Sequence, residues 1–156
     1  VYALIDWKNV FNIFSERRAL LAHWSKTIEE AVIDYQLETD VFAGFQHLHF
    51  IVPILIRYQQ LQQIASSVWL FGTSDERDPA LDGFRSVILM QDDLLVREWF
   101  LVVDHPRYAR AIVAREITPP NTKRLERKFQ GVLTSDRKQI KRLTSGLQDA
   151  LSIEAV

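Results

Sequence analysis

The chain of 156 residues contains no cysteine. That absence excludes disulfides, thiolate metal sites, a cysteine nucleophile and any pigment joined through a thioether. Methionine occurs once, as Met90, so the sequence opens without an initiator, and its first dozen residues read as a lead-in from a larger protein. No apolar run approaches the roughly 20 residues that a membrane-spanning helix needs. The opening Val1-Tyr2-Ala3-Leu4-Ile5-Asp6-Trp7 lacks a basic segment and carries an acid inside its apolar stretch. It does not read as a secretory signal, and a cytoplasmic location is expected. Also missing are G-x-G-x-x-G, the phosphate-binding G-x-x-x-x-G-K-[ST], G-x-S-x-G and H-E-x-x-H. With no convergent acid, base or nucleophile in view, the sequence does not read as an enzyme.

What is present fits an ordinary domain. A hydrophobic share of 47% with 25% charged residues is close to globular usage. A chain of this length buries roughly 68–70% of its unfolded surface, enough for a core without staples. Lys plus Arg is 19 and Asp plus Glu is 20, a formal charge of -1, which argues against a dedicated nucleic-acid binder. The charge is unevenly placed. Lys123, Arg124, Arg127, Lys128, Arg137, Lys138, Lys141 and Arg142 face only Glu126 and Asp136 in their segment, while Glu29, Glu30, Asp34, Glu38 and Asp40 form an acidic run. Such runs read as solvated helix faces; the sharper readings are a basic patch for an acidic partner or nucleotide, and complementary patches through which two copies of the chain could meet.

Leu4, Trp7, Phe11 and Phe14 fall at helical spacing, a stripe that must pack on the core or on a second chain. A helix is expected from Glu16 to Tyr35, N-capped by Ser15, burying Leu20, Leu21, Trp24, Ile28, Ala31, Val32 and Tyr35. A strand over Val41–Gln46 follows. Pro53 suits the first turn of a second helix carrying Ile54, Leu55, Tyr58, Leu61, Ile64 and Ala65. Ser67–Phe71 reads as a buried strand and Thr73–Gly83 as a loop. Phe84–Met90, Glu98–Asp104 and Ala109–Ile117 read as strands, the last two joined by a turn through Pro106. A last helix spans about Asp136–Leu151.

The expected fold is α+β, a mixed sheet of four to five strands packed with helices in the order α-β-α-β-β-β-β-α. The first strand–helix–strand unit should be parallel and the later strands antiparallel. Residues 1–15 form a helical lead-in or linker and 16–156 a single domain.

Candidate chemistry is sparse. His47 and His49 lie two apart on an extended segment and share a face, but no third metal ligand is apparent, and they read as polar residues at a strand end. Asp92 and Asp93 read as a turn. No metal site is expected. Trp7, Trp24, Trp69 and Trp99 lie in apolar runs, where core packing is the usual role and stacking on a flat cofactor the sharper one. Arg57 and Glu98 stand at the borders of apolar faces, as snorkelling or paired charges or as the lining of a pocket at the sheet's end.

Several segments in order resemble a known family. They are Ser25-Lys26-Thr27-Ile28-Glu29-Glu30, Ala43-Gly44-Phe45-Gln46, Arg57-Tyr58, Phe71-Gly72, Glu98-Trp99-Phe100-Leu101-Val102-Val103, Ala114-Arg115-Glu116, and Arg127 through Asp136. Their order and spacing resemble the DICT domain, a bacterial sensory domain common in cyanobacteria and found with diguanylate cyclases, their phosphodiesterases and histidine kinases. The resemblance runs from about Ser25 to the last helix. It implies an α+β fold with a four-stranded sheet, a link to light, and a signal-input role in two-component or cyclic di-GMP signalling. The implied partner is an output domain or protein such as a diguanylate cyclase or histidine kinase; a second copy of the chain is another candidate. The implied cofactor is unknown, and any chromophore would be held without a thiol link. Joined to polar or aromatic character, the resemblance motifs select Gln46, Arg57, Tyr58, Trp69, Trp99 and Arg127 as ligand-binding candidates.

Overall fold

The structure is a computed structural model that describes residues 4, 5, 7, 13–74, 79–91 and 93–154. Its elements are β1 (Phe14–Arg17), α1 (Arg18–Asp34), β2 (Asp40–His47), a 3₁₀ segment (Leu48–Ile54), α2 (Leu55–Ile64), β3 (Ser67–Thr73), β4 (Arg85–Ile88), β5 (Glu98–His105), β6 (Tyr108–Glu116), β7 (Lys128–Thr134) and α3 (Arg137–Glu154). The strands make one mixed sheet in the order β1-β7-β6-β5-β2-β3-β4. The α+β expectation holds, with seven strands in place of four to five.

The two extra strands are β1 and β7, which pair with each other antiparallel, Phe14 opposite Gly131. Three of the four residues of β1 are polar, and β7, which also pairs with β6, sends Phe129 and Val132 into the core. Ser15 therefore sits opposite Gln130 and caps nothing. The N-cap of α1 is Arg17, without a side-chain cap. The helix ends one residue early, and its C-cap Tyr35 is exposed rather than in the buried stripe. As expected, β2 and β3 are parallel and β5 and β6 form an antiparallel hairpin. The strand β4 departs from expectation, because it runs parallel to β3.

Strand alternation divides the core between two faces. Val41, Ala43, Leu70, Leu101, Ile112 and Phe129 meet Leu21, Ile28 and Val32 of α1 and Tyr58 and Leu61 of α2. Phe42, Phe71, Phe100, Val102 and Val113 meet Ile140, Leu143 and Leu147 of α3 on the other face. Asp136 caps α3, its Oδ1 accepting from the backbone N–H of Lys138 at 2.9 Å. Gly44 faces the α3 side and leaves room for the Phe100 ring, which a Cβ there would meet at 2.2 Å.

Of the expected helical lead-in, residues 1–3, 6 and 8–12, Phe11 among them, lie outside the described residues. Ile5 is buried with Leu4 and Trp7 against the α3 face. Phe14 sits edge-on to Trp24 at 5.0 Å. Among the described residues no helix is long and apolar enough to cross a membrane.

Candidate functional site

Where α1 begins, the end of β2, the start of β5, the 3₁₀ segment and the stretch leading into β7 converge on the α1/α2 face. The helix supplies Arg18, Ser25 and Glu29 to this point, roughly a turn or two apart and so on one side. Ser25 and Glu29 are buried in the stripe that Leu21, Ile28 and Val32 make apolar. A buried carboxylate needs partners. Arg57 Nε donates to Glu29 Oε1 at 2.6 Å, and the Tyr58 hydroxyl donates to Glu29 Oε2. Burial raises the Glu29 pKa, an effect that these two donors oppose. Burial also raises Tyr58, and the Glu29 charge adds to it.

A second, partly buried pair lies across the site. Arg127 Nε donates to Glu116 Oε2 at 2.5 Å and its Nη2 to Glu116 Oε1 at 3.0 Å, a fork on a carboxylate. Thr118 donates to the same carboxylate at 3.1 Å. Burial alone would raise Glu116, but the Arg127 and Thr118 bonds and the Arg127 and Arg97 charges outweigh it and hold the carboxyl below its ordinary value. Arg127 Nη2 also donates to Gln46 Oε1 at 2.6 Å, while Gln46 Nε2 reaches the Arg97 carbonyl at 3.2 Å.

Gln46 is on this face because β2 is irregular. Strict alternation would put it with Phe42 and Gly44 toward α3. The register shifts between Gly44 and His47, and Gln46 takes a left-handed backbone with φ 64°. Such a bulge re-aims a side chain, here toward Arg127, and Thr73 Oγ1 secures the Gln46 carbonyl at 3.2 Å. A non-glycine residue at this φ is uncommon and marks a position held by its surroundings.

Between the two ion pairs lies a small cavity of about 70 Å³, walled by Ser25, Glu29, Gln46, Arg57, Trp99 and Arg127, with Arg18, Ala22 and Phe50 nearer its rim. Trp99 Nε1 donates to Ser25 Oγ at 3.1 Å, and the Arg18 guanidinium stands 5.7 Å from the indole centroid. Outside it, and sharing Arg18, Phe50, Pro53 and Arg127 as walls, a cleft of about 380 Å³ is completed by His49, Pro120, Thr122 and Arg124.

Four of the six sequence candidates, Gln46, Arg57, Trp99 and Arg127, thus line one cavity, and Tyr58 stands behind it through Glu29. Trp69 does not join them. It packs with the α3-side cluster, under the Arg85 guanidinium at 5.0 Å. Glu98 also lies on that opposite face, apart from its neighbour Trp99. His47 and His49 are 6.1 Å apart between ring centroids, with His47 Nδ1 accepting the His49 N–H. Among the described residues no group of three or more His, Asp or Glu side chains could hold a metal ion. Asp92 lies outside the described residues, and Asp93 caps the turn at Leu95.

Sequence reasoning passed over Arg18, Ser25, Glu29, Phe50 and Glu116 as site residues. For Ser25 and Glu29 a signal existed, two polar residues four apart inside an apolar helical stripe. Glu116 carried none, since its role depends on β6 lying beside the stretch before β7.

The fold and the site define a three-layer α+β domain with a charged, partly closed pocket beside its sheet. The chain belongs to the DICT family, described as a sensory domain in diguanylate cyclases and two-component systems, whose model matches residues 6–117. That match starts before the Ser25 segment and ends ahead of the Arg127–Asp136 segment. No curated protein matches the sequence. Among solved structures, TrmBL2, described as an archaeal chromatin protein with a novel mode of DNA binding, is similar at a TM-score of 0.57 with 9% identity. The likeness covers 94% of this chain and 55% of that one, so the chain spans about half the length of TrmBL2, and it is a likeness of fold.

Proposed function

We propose that this domain is a non-catalytic signal-input module of the bacterial cytoplasm that takes a small ligand in the pocket beside Trp99 and acts on an attached or partner output, such as a diguanylate cyclase or a histidine kinase. The observation that carries the reading is the placement of two partly buried ion pairs, Arg57–Glu29 and Arg127–Glu116, around an open volume. Buried ion pairs are a weak means of stabilising a fold. Set around a cavity, they are groups that a ligand can engage and rearrange. A ligand biases the output only by binding one arrangement better than the other. Membership of a sensory family supports the same reading.

A ligand-free interaction module finds less support, because the charge runs that suggested it are partly consumed inside the domain. Glu29 and Arg127 are in the two ion pairs at the cavity, and Arg137 lies 3.5 Å from Asp104. A light-linked input would need a pigment, and the inner cavity of about 70 Å³ is far below the roughly 300–1,000 Å³ of ordinary ligand pockets. A pigment would have to occupy the outer cleft, and would show as an absorption band beyond that of the protein.

The test is a fusion of the chain to a diguanylate cyclase module, read as cyclic di-GMP in cells. Ala22 lines the cavity from α1. Ala22→Trp fills it and should fix the output at one level across growth conditions in which the parent fusion varies. A folded Ala22→Trp fusion that varies as the parent does would remove the sensory role of the cavity.

A further inference from the structure

We infer that the outer cleft is a binding site for a small phosphate monoester bearing a flat group, its phosphate held by Arg18, Arg124 and Arg127 and its flat part set against Phe50. The inference deepens the sensory reading above and rests on it for its consequence, since it names the class of ligand that would be sensed.

Charge bookkeeping points to the phosphate. Two of the four arginines around the joined cavity and cleft have their own carboxylates, Arg57 with Glu29 and Arg127 with Glu116. Among the described residues no carboxylate lies within ion-pair distance of Arg18 or Arg124. Glu116 also faces Arg97 at 3.7 Å, so five guanidinium groups against two carboxylates leave a net charge of +3. A phosphate monoester carries about −1.5 to −2 near neutral pH, which answers more of that surplus than the single charge of a simple carboxylate.

Convergence of like charges gives a second argument. Burial lowers the Arg18 pKa, and the nearby Arg124 and Arg127 charges lower it further, so the three guanidinium groups oppose one another across the cleft. The 17-residue helix α1 begins at Arg18 with no acid in its first turn and no side-chain cap, which adds the positive end of its dipole on the same side. An anion relieves this arrangement. Planar guanidinium forks suit the several oxygens of a phosphate better than point charges would.

The remaining walls favour a flat partner. Phe50 is 42% exposed at the rim, although it is flanked by the core residue Ile51. Pro53 and Pro120 give the cleft apolar sides, and its volume of about 380 Å³ falls at the small end of ligand pockets. An exposed ring beside a cationic centre is a platform for stacking a planar group.

The experiment is calorimetric titration of the chain with AMP, adenosine and sodium phosphate at fixed ionic strength. AMP should bind at one site, phosphate should compete with it, and adenosine should bind at least about tenfold more weakly, as loss of a charge-assisted contact implies. Arg124 is exposed and in no ion pair among the described residues, so Arg124→Glu should leave the thermal unfolding temperature nearly unchanged while weakening AMP by more than about tenfold. Phe50→Ala should weaken AMP and leave phosphate unaffected. The inference is overturned if neither AMP nor phosphate binds saturably to the folded chain, or if adenosine binds as well as AMP. It is equally overturned if Arg124→Glu binds AMP as the parent does, or if a single-stranded oligonucleotide binds where AMP does not. Should AMP fail while Ala22→Trp still fixes the output of the fusion, the ligand class falls and the sensory reading stands. Should AMP bind while Ala22→Trp leaves the output varying, the phosphate site stands and the sensory reading falls.

Discussion

Glu98 opens β5 with its side chain on the α3 face, paired across the sheet with Arg115 of β6. It is 3% exposed, and its Oε2 has no hydrogen-bond partner among the described residues. Trp7 donates a hydrogen bond to it, and the Arg115 guanidinium stands 4.7 Å from the Trp7 ring centroid. Burial raises the Glu98 pKa from 4.5 to about 7, against the opposing pull of Arg115 and Trp7. A carboxyl that titrates near 7 in the folded chain and near 4.5 in the unfolded one holds its proton about 3 kcal/mol more tightly when folded. The stability gained by holding that proton is complete below pH 4.5 and is lost as the pH rises toward 7, after which the loss levels off. Glu98→Gln keeps the shape of the neutral acid and cannot ionise. Urea unfolding followed by tryptophan fluorescence at pH 5, 6, 7 and 8 should therefore show the variant gaining on the parent by about 1.4 kcal/mol per pH unit between pH 5 and 7, then holding its advantage. Histidines and other carboxyls titrate alike in both proteins and cancel in the difference. A difference that stays flat from pH 5 to pH 8 would refute the assignment of a neutral, buried Glu98.

Gly44→Ala places a methyl group 2.2 Å from Phe100 Cε1 and should lower stability by about 1–3 kcal/mol in urea unfolding. Adding Phe100→Leu should recover part of that loss, and strict additivity of the two changes would contradict the close packing. Glu29→Ala strands Arg57 and the buried Tyr58 hydroxyl and should cost about 3–5 kcal/mol, whereas Tyr58→Phe, which removes one donor and leaves the ion pair, should cost about 1–3 kcal/mol. Thermal unfolding of the two variants checks the order, and a Glu29→Ala protein more stable than Tyr58→Phe would reverse the roles given to them.

The sequence by itself determined the elements whose burial has a simple period. The stripe of Leu21, Ile28 and Val32 specified α1, and the apolar runs specified β2, β3, β5 and β6, because hydrophobic burial is local in its pattern even when its partner is distant. The resemblance of ordered motifs also sufficed for the family, and most of the ligand candidates chosen from those motifs do converge. Tertiary structure decided what depends on pairing. The polar strand β1 forms only because it completes the hydrogen bonds of β7 at the sheet's edge, and β7 is held between β1 and β6, so no local preference announces either. The same holds for β4, whose parallel course is set by the neighbour it joins. Alternation along a strand separates Glu98 from Trp99 and Trp69 from Leu70, but it does not say which helix covers which face. That choice put Trp69 under α3 and Trp99 under α1. Gln46 goes further and breaks the alternation. A bulge, a left-handed backbone and an Arg127 approaching from 81 residues away turn it into the pocket, and only the assembled sheet brings those three together.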